Sequence, residues 1–335
     1  MTDLPANAGQ HMASEIAEAP AVFATAIAQP VTLPSLQDLR AIYTVARGSS
    51  DAAANILAYE LMRETHLPVT SLPPSIFSVG DGVRLTDAAV LVVSQSGASP
   101  DLVRSTEGAK EAGATVLALT NAPGSPVEAK AHATLKISAG PEQAVPATKS
   151  VVGAIAAGMA LLSTLSPAYA PRARASAQTI AALQGKQLPQ TKALLAALLR
   201  TSHVYVIGRD TGYGAAQELA LKLKECCALH AEAYSSSEVL HGPLQLVTNP
   251  LLILILDTEQ PEVQDSLDTA EHRFKAAGGT TFRLRPSDVG ATNLTPAAAA
   301  AALLILTYPL ALQTALALGH DPDRPTTLAK VTQTR

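Results

Sequence analysis

From Ala41 onward, short apolar runs of strand character alternate with stretches whose apolar residues recur at helical spacing. The strand candidates are Ala41–Ala46, Ala88–Val93, Val116–Thr120 and Leu135–Ser138, and the helical period runs through Ala52–Glu64, Pro100–Ala112 and Thr148–Leu165. Parallel strands need a crossover, usually a helix, so this alternation predicts an α/β fold in which helices cover both faces of a parallel sheet. A polar stretch over 166–189 predicts a helix-poor junction, and the alternation resumes at His203–Ile207, Leu251–Leu256 and Thr281–Leu284. The two halves resemble each other at a shift of 161 residues, which lays Pro100 over Pro261 and Ser105 over Ser266, as a duplicated domain would.

Composition narrows the function classes. With 335 residues, 47% of them apolar and 16% charged, the chain can bury a large core in two domains. Aromatic residues make up only 3% and Trp is absent, so the core must be aliphatic and stacking platforms for single-stranded nucleic acid are scarce. A net charge of −4 gives no broad basic surface, so no nucleic-acid partner is expected and a bound phosphate needs a dedicated pocket. Cys226 and Cys227 are adjacent, which disfavours a structural disulfide and offers no metal-ligand spacing. Reduced thiols, together with an N-terminus that carries Asp3 but no early Lys or Arg, predict a cytoplasmic chain without a signal peptide. The uncharged, Ala-rich segment Pro296–Gly319 is interrupted by Thr307, Pro309, Gln313 and Thr314 and predicts a buried core helix rather than a membrane span.

Five motifs carry chemistry. Ser94-Gln95-Ser96-Gly97-Ala98-Ser99 runs from a strand into a helix that Pro100 opens, and it gathers three hydroxyls at a helix N-terminus, where free N–H groups favour an anion. Ser99 alone would suffice as an N-cap, so the surplus hydroxyls point to a phosphate cradle. Gly48-Ser49-Ser50 is a second polar loop at the same sheet edge, where ligands of such sheets bind. Glu218, Lys222 and Glu225 share one helical face, which fits either an exposed salt-bridged face or carboxylates tuned for proton transfer. His241 precedes Gly-Pro, a turn signal, and reads as a surface residue or as a loop general acid/base. The Pro-rich tail 321–330 predicts a non-helical, disordered terminus with Lys330 exposed to solvent. The isolated Gly80-x-Gly82 and Gly212-x-Gly214 pairs lack the dinucleotide fingerprint, so no nicotinamide cofactor is expected.

Taken in this order, the Gly48-Ser49-Ser50 loop, SQSGAS (94–99), EQAVPATK (142–149), ELALKLKE with HAEAYSSSEVLHGP (218–243) and DPDRPTTLAK (321–330) resemble the sugar isomerase (SIS) domain family, in particular the isomerase half of glucosamine-6-phosphate synthase. The resemblance implies two tandem SIS domains, each a parallel sheet flanked by helices in a Rossmann-like three-layer αβα arrangement. It divides the chain into an N-terminal helical extension (1–34), SIS domains over 35–175 and 190–320, and an active-site tail (321–335). It implies a homodimer with shared active sites and no cofactor. Ser94, Gln95, Ser96 and Ser99, with Gly48, Ser49 and Ser50, would hold the phosphate of a phosphosugar, and Val145 and Ala147 would lie against the sugar. Glu225 would move a proton between C1 and C2, with Glu218 and Lys222 beside it. His241 would assist ring opening from the neighbouring subunit, and Lys330 would enter the active site.

The sequence departs from the synthase in two ways. No glutaminase domain or catalytic N-terminal Cys precedes the fold, and Pro146-Ala147 stand where the synthase usually has Ala-Ser. The expected activity is therefore a SIS-type deaminase that converts glucosamine 6-phosphate and water to fructose 6-phosphate and ammonia. The alternatives are a fructosamine-6-phosphate deglycase, an aldose–ketose isomerase and a sugar-phosphate sensor.

Overall fold

The computed structural model describes residues 4–36 and 38–330. The first half comprises α1 (Gln10–Ile27), β1 (Ala41–Val45), α2 (Ser49–Thr65), β2 (Val69–Ser71), α3 (Ser75–Ser78), β3 (Ala88–Ser94), α4 (Pro100–Glu111), β4 (Thr115–Thr120), α5 (Pro126–Lys130), β5 (Ala133–Lys136) and α6 (Lys149–Leu165). There follow α7 (Ala170–Ala181), α8 (Thr191–Leu198), β6 (His203–Gly208), α9 (Thr211–Cys227), β7 (His230–Ser235), β8 (Leu252–Leu256), α10 (Pro261–Ala276), β9 (Thr280–Leu284) and α11 (Pro296–Ala317).

The strands form two all-parallel sheets, β2-β1-β3-β4-β5 and β7-β6-β8-β9, each flanked by helices. The central strands β3 and β8 are buried along their whole length, because helices cover both faces of each sheet. The helices α2, α6, α9 and α11 pack against one another and share a single apolar core that takes in both halves, including Leu57, Ile155, Leu223 and Leu304. The 22-residue α11 is apolar enough to cross a membrane, but 78% of its most apolar window is buried inside this fold, as the core-helix reading requires. Both cysteines are buried free thiols.

Three sequence expectations need correction. The junction is not helix-poor: α7 lies within it, because Pro171 occupies the first helical turn, where a missing N–H costs no hydrogen bond, and Ala173, Ser176 and Ile180 face inward. The edge strands β2 and β7 lack a continuous apolar run, since each is only partly buried, and so they escaped the pattern. The repeat is also out of register by one residue. Gly48 lies over Asp210 and Gly97 over Glu259, a shift of 162, whereas Pro100 lies over Pro261. The loop from β8 to α10 (257–260) is one residue shorter than that from β3 to α4 (95–99).

Candidate active site

Strands β1 and β3 are neighbours from which the chain departs in opposite directions, so their carboxyl ends flank the crevice where ligands of such sheets bind. Gly48-Ser49-Ser50 follows β1, and Gln95–Ser99 follows β3. Gly48 has φ 54° and ψ −129°, a conformation that favours glycine. Gly97 has φ 59°, and a Cβ there would lie 2.2 Å from Ser125 Oγ, so both backbone and space demand glycine. Ser94 is buried and its Oγ accepts the Gly97 N–H (3.1 Å), while Ser96 Oγ accepts the Ala98 N–H (3.3 Å). Ser99 is the N-cap residue of α4 but makes no side-chain capping bond, contrary to the simplest reading of the motif. The α4 N-terminus thus keeps free N–H groups beside an uncommitted hydroxyl. Arg47 forms an ion pair with Asp101 in the first turn of α4 and ties the two loops together.

Along α9 the spacing of Glu218, Lys222 and Glu225 produces a buried charged line rather than the exposed face that spacing alone allows. Glu218 and Lys222 are fully buried, and the Glu225 side chain is 23% exposed. The Lys222 ammonium lies 3.5 Å from Glu218 Oε1 and forms an ion pair with Glu225. Tyr308 of α11 donates its hydroxyl to Glu218 Oε1 (3.1 Å). Burial pushes the Glu218 carboxyl up to about 7, against the pull of the Lys222 ammonium and of the Tyr308 hydroxyl. Burial alone would lower the Lys222 ammonium, but the Glu218 and Glu225 carboxylates outweigh it and hold the lysine charged.

Glu225 opens onto a cleft of about 980 Å³, lined also by Leu221, Lys224, Cys226, His320, Arg324 and Thr327. The tail that forms its far wall is not helical, as expected, but neither is it loose. Asp323 accepts the N–H groups of His11 (2.9 Å) and Met12 (2.8 Å) at the start of α1, and its carbonyl accepts the Val145 N–H (3.1 Å). Lys330 is half-buried rather than exposed, because its ammonium donates to the Ala144 carbonyl (2.6 Å) and to Glu142 Oε2 (3.3 Å). Glu142 also accepts the N–H groups of Thr148 and Ser150 (3.0 Å each) and so caps α6. Ala147 packs against the core.

The structure therefore links Glu218, Lys222 and Glu225 by direct contact. Gln95 and Glu142 line a second cavity of about 490 Å³, and Glu142 pairs with Lys330. His241 stands apart: it is exposed, lines neither cavity, and has no side-chain hydrogen bond or ion pair among the described residues. Arg47 and Glu142 were not legible as candidate site residues, since a lone charge beside a turn carries no pattern. In the second half Arg209 donates to Ser235 and Ser237 at the end of β7, while the loop after β8 (257–260) carries no serine. There Asp257 is fully buried and accepts from the Glu259 N–H (2.8 Å), Gln264 (2.9 Å), Arg283 (2.9 Å) and Arg285 (3.0 Å), so the chain's own carboxylate fills that sheet edge. No cluster of three or more metal-ligating side chains occurs among the described residues.

Comparison with known proteins places these features in context. The SIS domain family matches residues 35–164 and 197–284. The glutamine–fructose-6-phosphate aminotransferase (isomerizing) of Aeropyrum pernix is 32% identical over 323 residues, covering 85% of this chain and 50% of that protein. That of Pyrobaculum aerophilum is 31% identical, covering 95% of this chain and 56% of that protein. The chain thus spans about half the length of the curated relatives it matches. A candidate phosphosugar isomerase from Silicibacter pomeroyi superposes with a TM-score of 0.79 at 34% identity, covering 93% of this chain and 99% of that one. A glucosamine-6-phosphate deaminase from Thermotoga maritima shares the fold, with a TM-score of 0.76 at 17% identity over 97% of this chain and 100% of that one.

Proposed function

The chain belongs to the SIS domain family, and on that premise we propose that it is an amino-sugar-phosphate deaminase, converting glucosamine 6-phosphate and water to fructose 6-phosphate and ammonia. The buried Glu218–Lys222–Glu225 line that opens onto the cleft carries this reading. Proton transfer between adjacent carbons needs one positioned base, and Glu225, partly exposed at the end of this line, supplies it.

In this mechanism the phosphate sits on Ser94, Gln95, Ser96 and Ser99 at the α4 N-terminus, with Ser49 and Ser50 across the crevice and Arg47 alongside. His241 assists ring opening in the site of a neighbouring subunit of a homodimer, a role that suits a side chain left exposed in its own. Glu225 takes the C2 proton, which the C1 carbonyl acidifies, and an enolamine forms. Returning that proton to C1 leaves an imine at C2. Water adds to the imine carbon, and the C–N bond breaks to release ammonia and the ketose. The exposed part of Glu225 leaves the reacting end accessible to the water this step consumes. Lys330 closes the sugar end of the site. The electron sink is the substrate's own carbonyl, and Lys222, held charged between two carboxylates, keeps Glu225 in place through its ion pair.

Ammonia release from glucosamine 6-phosphate, measured beside galactosamine 6-phosphate and a fructosamine 6-phosphate, tests the reading. Turnover of glucosamine 6-phosphate is expected. Amine release from the fructosamine alone would make the chain a deglycase, aldose–ketose interconversion without ammonia an isomerase, and binding without turnover a sensor.

A further inference from the structure

The N-terminal helix α1 lies outside both family-matched segments, yet it reaches the seat of Lys330. Glu15 on α1 is only 3% exposed. Its Oε1 accepts the N–H groups of Gln143 and, at 3.3 Å, of Ala144, the residue whose carbonyl receives the Lys330 ammonium. Its other oxygen, Oε2, is buried and has no hydrogen-bond partner among the described residues. An ionised carboxylate with an unsatisfied oxygen is costly to bury unless a cation lies nearby. Burial pushes the Glu15 carboxyl above its ordinary range and the Gln143 and Ala144 N–H groups pull it back, while of the nearby charges Glu142 opposes its ionisation and Lys330 favours it. The same helix receives Asp323 at its N-terminus, and Glu18 one turn beyond Glu15 holds Lys149 at 2.6 Å.

We propose that Glu15 is a positioning residue for Lys330: it fixes the 142–144 backbone on which the lysine is seated and, with Glu142, supplies the negative charge that the ammonium faces. On this account α1 is part of the active site. It braces the tail through Asp323 and the lysine's seat through Glu15, so the reactive end of the tail is placed from two sides. For Lys330's part in turnover, the proposal rests on the deaminase reading; for the seat itself, it does not.

The test separates the two. Acetylation of Lys330 by acetic anhydride at constant pH, quantified by peptide mass spectrometry against the exposed Lys186 as internal reference, reads the seat without any substrate. Glu15→Gln, which keeps one acceptor oxygen but removes the charge, is expected to raise relative Lys330 labelling roughly tenfold, the equivalent of one charge-assisted hydrogen bond. Ser14→Ala on the exposed side of α1 should leave it unchanged. In Glu15→Gln, kcat for glucosamine 6-phosphate should fall roughly tenfold while KM, set at the hydroxyl loop, stays within about twofold. Unchanged labelling in a folded Glu15→Gln protein overturns the proposal. Altered labelling with no turnover even in the wild type upholds the seat and removes the deaminase reading instead. Should Glu15→Gln not fold, hydrogen exchange at Gln143 and Ala144 in the wild type decides. Slow exchange of both amides supports the seat, and exchange as fast as in an open loop overturns it.

Discussion

Gly48 and Asp210 hold the same backbone conformation, φ 54°, ψ −129° against φ 56°, ψ −133°, at the N-caps of α2 and α9. The two halves have therefore kept one strand-to-helix geometry while diverging in what it presents. Glycine leaves the first crevice open. In the second half Asp210 bonds the Thr211 N–H (2.8 Å) and pairs with Arg63 (2.9 Å), which offsets the strain of a non-glycine residue at positive φ. With Asp257 filling the next loop, the second half spends its sheet edge on structure, and its main contribution to the site is α9.

Gly97→Ala tests the hydroxyl loop. Its φ of 59° and a Cβ contact of 2.2 Å to Ser125 Oγ mean that the loop must move. Backbone strain alone should cost about 1–3 kcal/mol in urea denaturation. The thermal stabilisation that the wild type gains from glucosamine 6-phosphate should be lost. Retention of both stability and ligand shift would show that the loop does not hold the phosphate.

Lys222→Met leaves Glu218 and Glu225 without the cation between them. Removing one partner of a buried ion pair costs about 3–5 kcal/mol, so the unfolding midpoint should drop sharply. Adding Glu218→Gln to the same chain should recover part of the loss, because one of the two unpaired carboxylates is then neutral. A single variant as stable as the wild type would contradict the burial of Lys222.

Stability should fall as pH rises from about 5 to 8. Burial lifts Glu60, bonded to the Tyr169 hydroxyl at 2.8 Å, to about 7, and it lifts Glu218 to about 7 as well. A carboxyl raised in the folded state binds its proton more tightly there than in the unfolded chain. Its contribution is complete below the ordinary carboxylate range and is lost as pH climbs through the folded value. The decline should amount to about 1–3 kcal/mol per group. Glu60→Gln, which is neutral throughout, should flatten the melting-temperature profile, and an unchanged slope would count against the assignment.

The parallel α/β architecture was legible because β3 and β8 are buried on both faces and so read as unbroken apolar runs. The edge strand β7 was not, because a half-exposed strand of sequence HAEAYS has no apolar run to detect. Spacing placed Glu218, Lys222 and Glu225 on one face of a helix but could not tell that α11 would cover that face and bury two of them. Lys330 defeated local reasoning altogether. A polar, Pro-rich tail signals disorder, and only the distant partners Glu142, Ala144 and the start of α1 hold it down. Glu15 was silent for the same reason, since a single acid on an amphipathic helix gives no sign of facing inward.

The central claim is that Glu225 carries hydrogen between neighbouring carbons of a bound sugar phosphate, and proton NMR of fructose 6-phosphate in D2O reads that transfer directly, whichever amine or aldose is the physiological reactant. The wild type should exchange a C1 hydrogen for deuterium, and Glu225→Gln, assayed at a temperature where it is folded, should exchange it about 10²–10⁴-fold more slowly. Exchange at the wild-type rate in that variant would contradict the account.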